Sequence, residues 1–220
     1  MAARIIDGVC VPARYLVMGY LQNNVYVIDD GAGTIVVDPS CHADDILGAL
    51  GDRPLDAIFV THYHSDHTGA LAELKQRTGA KVYASAEDAV YIRNPRKVGT
   101  SPVPLQDPCD VDVELADGDT IQVGNMTWKF MLTPGHSKGS GCFYCATQDE
   151  RLRSVLLSGD TLFCGTTGRT DFLGGSDVDM KASLEKLSKL PDETAVLPGH
   201  ERFSTIERER ATTMLRWGVR

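Results

Sequence analysis

The chain reads as a layered α/β protein, with two β-sheets packed face to face and helices outside them. Three observations predict this. A block of short apolar or alternating runs comes first, then helix and strand patterns alternate, and this order occurs roughly twice along 220 residues. The runs are bounded by Gly, Asn and Asp, which favour turns. No linker-like composition break or low-complexity tract interrupts them, so one domain over residues 1–220 is expected, long enough to bury a substantial core.

Tyr15–Gly19, Asn24–Ile28 and Thr34–Val37 read as three short strands. Asp44–Leu50 reads as a short helix stopping near Gly51, and Ala57–Val60 as a buried apolar strand. Thr68–Thr78 reads as a helix, with Leu71, Ala72 and Leu74 as its apolar stripe and Gly79 as its stop. Lys81–Ala84 is a strand and Ala86–Ile92 a short helix. Asn94 to Pro108 carries Pro and Gly throughout and reads as a long surface loop. Strands follow at Val111–Leu115, Thr120–Val123, Thr127–Thr133, Gly141–Ala146 and Val155–Ser158. Asp160–Gly175 is rich in Gly and Thr and irregular; Val178–Leu190 is a helix, Ala195–Leu197 a strand and Thr205–Arg216 the final helix.

The formal net charge is -8, with no dense basic run, which argues against a nucleic-acid or anionic-membrane binder. No apolar run is long enough to cross a bilayer, and the first residues lack an apolar signal core. A cytoplasmic protein is expected. Six cysteines are too few for a disulfide scaffold at this length. Cys142 and Cys145 are spaced C-x-x-C, but on a strand i and i+3 point to opposite faces, so they read as ordinary buried thiols.

The six histidines are distributed unevenly. His62, His64 and His67 lie within six residues, together with Asp66, directly after strand Ala57–Val60. Burying three imidazoles and a carboxylate this close would be costly without a cation. The H-x-H spacing puts two imidazoles on one side of an extended backbone, whereas the adjacent Asp66 and His67 must diverge if both bind metal. One segment therefore offers ligands to two neighbouring ions. Imidazole and carboxylate suit zinc, iron or manganese. His136, Asp160 and His200 each follow a strand through a small-residue turn, the setting in which loops hold active-site residues. Asp38 has the same placement and is a candidate to orient a ligand imidazole from behind.

Thr61-His62-Tyr63-His64-Ser65-Asp66-His67 resembles the T-H-x-H-x-D-H signature of the metallo-β-lactamase superfamily, and His136, Asp160 and His200 match its later ligands. The resemblance spans nearly the whole chain. It implies a four-layer αββα sandwich of two mixed sheets flanked by helices. It also implies one metal held by His62, His64 and His136, a second held by Asp66, His67 and His200, and Asp160 bridging the two. Hydroxide held between the metals would be the nucleophile, with Asp66 and Asp160 tuning it as catalytic carboxylates.

Within the superfamily, Gly159-Asp-Thr-Leu-Phe163 followed by Gly168-Arg-Thr-Asp171 is similar to the glyoxalase II-like (hydroxyacylglutathione hydrolase-like) hydrolases, in their short single-domain form. That resemblance implies a thioesterase acting on a small-molecule thioester with two divalent ions, zinc first. Ala70, Cys164 and the Ala211–Leu215 tail depart from the group's usual residues and fall where substrate recognition is decided. Lys138 and Arg202 would face an anionic substrate. Arg169 would either contact a substrate carboxylate or brace its loop through Asp171. The alternatives are an iron-dependent persulfide dioxygenase, a lactonase or β-lactamase-like hydrolase of the same fold, and a structural or regulatory metal module. The oligomeric state stays open.

Overall fold

The computed structural model describes residues 3–98 and 105–219. The first sheet contains β1 (Arg4–Ile6), β2 (Ala13–Met18), β3 (Asn23–Asp29), β4 (Thr34–Val37), β5 (Ala57–Phe59), β6 (Lys81–Ser85) and β7 (Val113–Leu115), paired in sequence order. It is antiparallel from β1 to β4 and parallel from β4 to β7. The second sheet contains β8 (Thr120–Val123), β9 (Met126–Leu132), β10 (Gly141–Cys145), β11 (Val155–Gly159), β12 (Ala195–Pro198) and β13 (Ser204–Thr205), again neighbours in order. Its one parallel pair is β11–β12. Helices α1 (Ala43–Leu50), α2 (Ser65–Thr68), α3 (Leu71–Thr78) and α4 (Ala86–Arg93) belong to the first half, α5 (Asp177–Leu187) and α6 (Ile206–Glu209) to the second.

Strand alternation builds the layers. On β3, Tyr26 and Ile28 enter the inter-sheet core while Val25 and Val27 pack with Ile46, Leu71 and Leu74 of the helices outside. On β10, Phe143 and Cys145 face inward while Cys142 packs with Met180, Leu184 and Leu187 of α5. The two cysteines thus lie on opposite faces, as expected. Aromatic rings fill the middle: Phe59 stacks on Phe143 with centroids 4.4 Å apart and meets Trp128 edge-on at 5.8 Å. Two mixed sheets with helices on both outer faces form the αββα sandwich that the resemblance implied.

Three segments differ from the sequence reading. Residues 65–78 form two helices, because the backbone at Gly69 presses on the β4–α1 loop: a Cβ there would lie 2.2 Å from the Ser40 carbonyl oxygen. The Ala70 amide then donates to the Pro39 carbonyl. The final helix is also interrupted. After α6, Arg210–Met214 widens into a π-turn beside Glu209, whose buried carboxylate accepts from the Gly165 amide and the Ser204 and Thr213 hydroxyls. Within the expected long loop, Pro95–Val98 is a 3-10 turn, and Gln106 is buried rather than a surface residue. Residues 99–104 of that loop lie outside the described residues. The short edge strands β1 and β13 carry too few residues for a periodic signal.

Replacing Phe59 by Ala removes the ring that joins the two sheets beneath the histidine segment. We expect a loss of about 3–5 kcal/mol in the unfolding free energy of the metal-free protein, measured by denaturant titration.

Candidate metal centre

Five strands of the two sheets run out at one end of the sandwich, and each delivers a polar side chain there. β4 ends at Asp38, β5 leads into His62–His67, β9 into His136, β11 into Asp160 and β12 into His200. The sheets are stitched together at this end. Asn23 bridges to His200, the Asn24 amide donates to the Gly199 carbonyl at 2.7 Å, and the Tyr26 hydroxyl donates to the Pro198 carbonyl at 2.6 Å. Only glycine fits at 199, since a Cβ would lie 2.5 Å from Asp160 Oδ1 and 2.6 Å from His67 Cε1.

All seven predicted ligand positions converge. Donor atoms of His62, His64 and His136 form one group, those of Asp66, His67 and His200 a second, and those of His62, His67 and Asp160 a third that joins them. Within each group the donor atoms lie within 4.8 Å of one another. His64 Nδ1 lies 2.9 Å from His136 Nε2, and His67 Nε2 lies 3.2 Å from His200 Nε2. Asp66 Oδ2 and Asp160 Oδ1 each lie 3.3 Å from His67 Nε2. Four donors at 2.0–2.1 Å around one zinc-sized ion are separated by about 3.3 Å, so this spacing fits a shared cation.

Hydrogen bonds behind the ring nitrogens decide which lone pairs point inward. His67 Nδ1 donates to Asp38 Oδ2 at 3.0 Å. The Thr61 hydroxyl gives its proton to the same oxygen at 2.7 Å, so it accepts from His62 Nδ1 at 3.1 Å. His136 Nδ1 donates to the Arg169 carbonyl at 2.7 Å, and His200 Nδ1 to the Leu21 carbonyl at 3.0 Å. The Nε2 atoms of all four rings are thereby turned toward the centre, where a cation can take them. His62 Nε2 and Asp160 Oδ1 are buried there with no hydrogen-bond partner, which is how a metal-ligand atom looks without its ion. The residues therefore fit a metal centre.

The electrostatics divide the centre in two. Burial, reinforced by the imidazoles of His67, His64 and His136, holds His62 well below the usual histidine range. Burial with His136 and His67 holds His64 down at about 3. These are neutral donors, ready for a cation. At His67 burial acts in the same direction, but Asp160, Asp66 and Asp38 override it and raise the ring well above its usual range. Burial would raise Asp160, yet His67, His136 and His200 bring it down to about 2. Asp66 is likewise held well below the carboxylate range despite burial, by His67, His200 and Asn23.

Asp38 sits where the sequence placed it, behind His67. It adopts a left-handed backbone, φ 49°, that turns its carboxylate back onto the Thr61 amide at 2.8 Å. The three basic candidates are not gathered at the donors. Lys138 pairs with Glu87 at 3.6 Å. Arg169 pairs with Asp171 at 2.7 Å and stacks over Phe172, 4.4 Å from the ring centre, which is the bracing arrangement. Arg202 is exposed. Sequence reasoning missed Asn23, whose amide donates to Asp66 Oδ2 at 2.9 Å, because Asn23-Asn24 looks like a turn. It also missed Phe172 and Phe163, whose rings stand 5.4 Å from His64 and 5.9 Å from His200.

A family model described as the metallo-beta-lactamase superfamily matches residues 18–200, which include every donor residue. The chain belongs to this superfamily. Among its relatives in the superfamily is a hydroxyacylglutathione hydrolase of Pseudomonas savastanoi pv. phaseolicola (strain 1448A / Race 6), 36% identical over 185 residues. That match covers 82% of this chain and 62% of the relative. Among solved superfamily structures, BLEG-1, a B3 metallo-beta-lactamase, superposes with a TM-score of 0.83 at 30% identity, covering 92% of this chain and 98% of that one. TTHA1623, solved in a di-iron-bound form, gives a TM-score of 0.74 at 31% identity, with 91% and 98% covered. Among the described residues, no helix is long and apolar enough to cross a membrane.

Replacing Asp38 by Ala frees the His67 ring to rotate. Cation binding by Asp66, His67 and His200 should weaken about 10–100-fold, measured by competition with a chromophoric chelator.

Proposed function

We propose that the chain is a dinuclear metal-dependent hydrolase of thioesters, of the hydroxyacylglutathione hydrolase type. One observation carries the hydrolase reading: the triads His62/His64/His136 and Asp66/His67/His200 lie side by side, and Asp160 faces both. In this reading His62, His64 and His136 would hold one divalent ion and Asp66, His67 and His200 a second, with Asp160 available to both. Zinc suits the donor set best, and iron or manganese also fits it. The di-iron form of TTHA1623 supports a two-metal occupancy. When bound, such ions supply Lewis acidity and hydroxide near neutral pH.

The chain's own residues prepare the rest. Asp38, Thr61, Leu21 and Arg169 hold the four rings so that no ligand must reorient during turnover. Asp66 and Asp160 stay ionised and place negative charge next to both triads. Phe172 beside His64 and His136, and Phe163 beside His200, narrow the approach of water from two sides. A thioester suits this arrangement because a thiol with a pKa of about 8.5 leaves as thiolate without a general acid. The cations nearest the His136 and Asp160 loops, Lys138 and Arg169, are already paired with carboxylates and are not needed for that step.

The thioester reading is supported by the hydroxyacylglutathione hydrolase relative. A second reading, hydrolysis of β-lactams or lactones, is favoured by the likeness to BLEG-1 over 98% of that chain. Two complete triads weigh against a purely structural metal.

Metal quantification with a thioester panel that starts from S-lactoylglutathione and varies both acyl group and thiol tests the proposal. We expect two ions per chain and thioester turnover exceeding that of nitrocefin and lactones. One iron per chain, with oxygen uptake on glutathione persulfide, would overturn it. Asp160→Ala should lower turnover at least about a hundredfold while the circular dichroism spectrum stays unchanged.

A further inference from the structure

A second buried carboxylate stands behind the centre, on the side away from Asp38. Asp88 lies in the first turn of α4, in the outer helical layer, and only 1% of it is exposed. One of its oxygens, Oδ2, accepts from the Tyr63 amide at 3.0 Å and from the Ser137 hydroxyl at 2.7 Å. The other, Oδ1, accepts from the Gly139 amide at 2.9 Å. Tyr63 is the residue between His62 and His64, and Ser137 follows His136 directly. One carboxylate therefore ties together the two loops that carry all three imidazoles of one triad.

The approach is built in from both sides. A Cβ at Gly139 would lie 2.4 Å from Asp88 Oδ1 and 2.3 Å from Ser85 Oγ, so only glycine lets the loop come this close. Ser85 caps α4 by accepting from the Asp88 amide at 3.2 Å, which fixes the backbone that bears the carboxylate. Ser140 accepts from the Ser137 amide at 3.0 Å, and, because the Ser137 hydroxyl gives its proton to Asp88, the Ser140 hydroxyl donates to it at 2.8 Å, which holds the serine that reaches Asp88. Burial makes a charged carboxylate expensive, and it pushes the Asp88 carboxyl up to about 6 although Ser137, Tyr63 and Gly139 all donate to it. A helix cap or a core position would not call for that cost, since Ser85 already caps the helix and α4 packs through Ala89 and Ile92.

We propose that Asp88 is the positioning residue of the His62/His64/His136 metal site, holding the H-x-H loop and the His136 loop at the separation one cation requires. It touches no donor atom and acts only through Tyr63, Ser137 and Gly139. The counterpart on the other side, Asp38, acts by direct contact with His67. Asp38 also reaches His62 through the Thr61 hydroxyl, whereas Asp88 contacts only residues that flank ligands of the first triad, so replacing Asp88 changes the first site's affinity separately from the second's.

The assignment rests on the two-metal reading above, and the experiment separates the two. Asp88→Asn keeps the volume but must turn its NH2 group toward either the Tyr63 or the Gly139 amide, both of which donate, so at least one of the three hydrogen bonds is lost. Wild-type and variant chains are titrated with Zn2+ against a chromophoric chelator, and cobalt-substituted samples identify the emptied triad by their paramagnetically shifted imidazole N–H signals. We expect the His62/His64/His136 site to weaken about 10–100-fold in Asp88→Asn, with the Asp66/His67/His200 site unchanged. Ser137→Ala, which removes a single donor, should produce a smaller loss at the same site and decides the matter if Asp88→Asn does not fold. Equal weakening of both sites, or weakening of neither, overturns the assignment. If the wild-type chain binds one ion, the two-metal reading fails by itself. Asp88 then keeps its role only if Asp88→Asn still weakens that ion at least about tenfold.

Discussion

Everything at the strand ends depends on five imidazole lone pairs and two carboxylates turned toward each other without protons between most of them. The neutral rings of His64 and His136, with facing nitrogens 2.9 Å apart, leave room there for a cation. The rings cannot rotate away, because four of them are held from behind by Asp38, Thr61, Arg169 and Leu21. A cation bound among these donors would link metal affinity to fold stability.

The sandwich makes that arrangement affordable. β4, β5, β11 and β12 end together because each sheet contributes a parallel pair there, and the aromatic core around Phe59 locks the sheets in register. Anchoring is shared between layers. Asp38 sits on the inner end of β4, whereas Asp88 reaches in from an outer helix. Glu209 does similar work behind the Asp160 loop, accepting from the Gly165 amide. Three buried carboxylates, each saturated by donors, surround a centre that itself needs positive charge, and none of the three competes directly for the ligand face.

Tyr20 and Leu21 on one loop, and Phe172 and Leu173 on another, are exposed apolar residues; Leu21 meets ligand His200 through its carbonyl and Phe172 meets ligand His64 through its ring. These loops have no regular structure of their own. Cys164 and Ala70 lie in or beside equally irregular stretches.

The sequence by itself determined the donor set, because ligand chemistry is written in residue type and short spacing. His62, His64, Asp66 and His67 are local, and His136, Asp160 and His200 each announce themselves at a strand end. Strand and helix existence was legible for the same reason: apolar periodicity is a local property. Asp38 was legible because it shares the strand-end setting. Asn23 and Asp88 were not. Asn23 looks like a turn residue, and Asp88 looks like an ordinary acidic residue in the first turn of a helix. Their partners lie 43 to 177 residues away for Asn23 and 25 to 51 for Asp88, so no window along the chain contains the contact. The breaks at Gly69 and at Arg210–Met214 were likewise decided in three dimensions, by the Ser40 carbonyl and by the buried Glu209 carboxylate. Pattern along the chain chose which atoms could bind a metal; only packing across the two sheets decided which lone pairs face it and what holds them there.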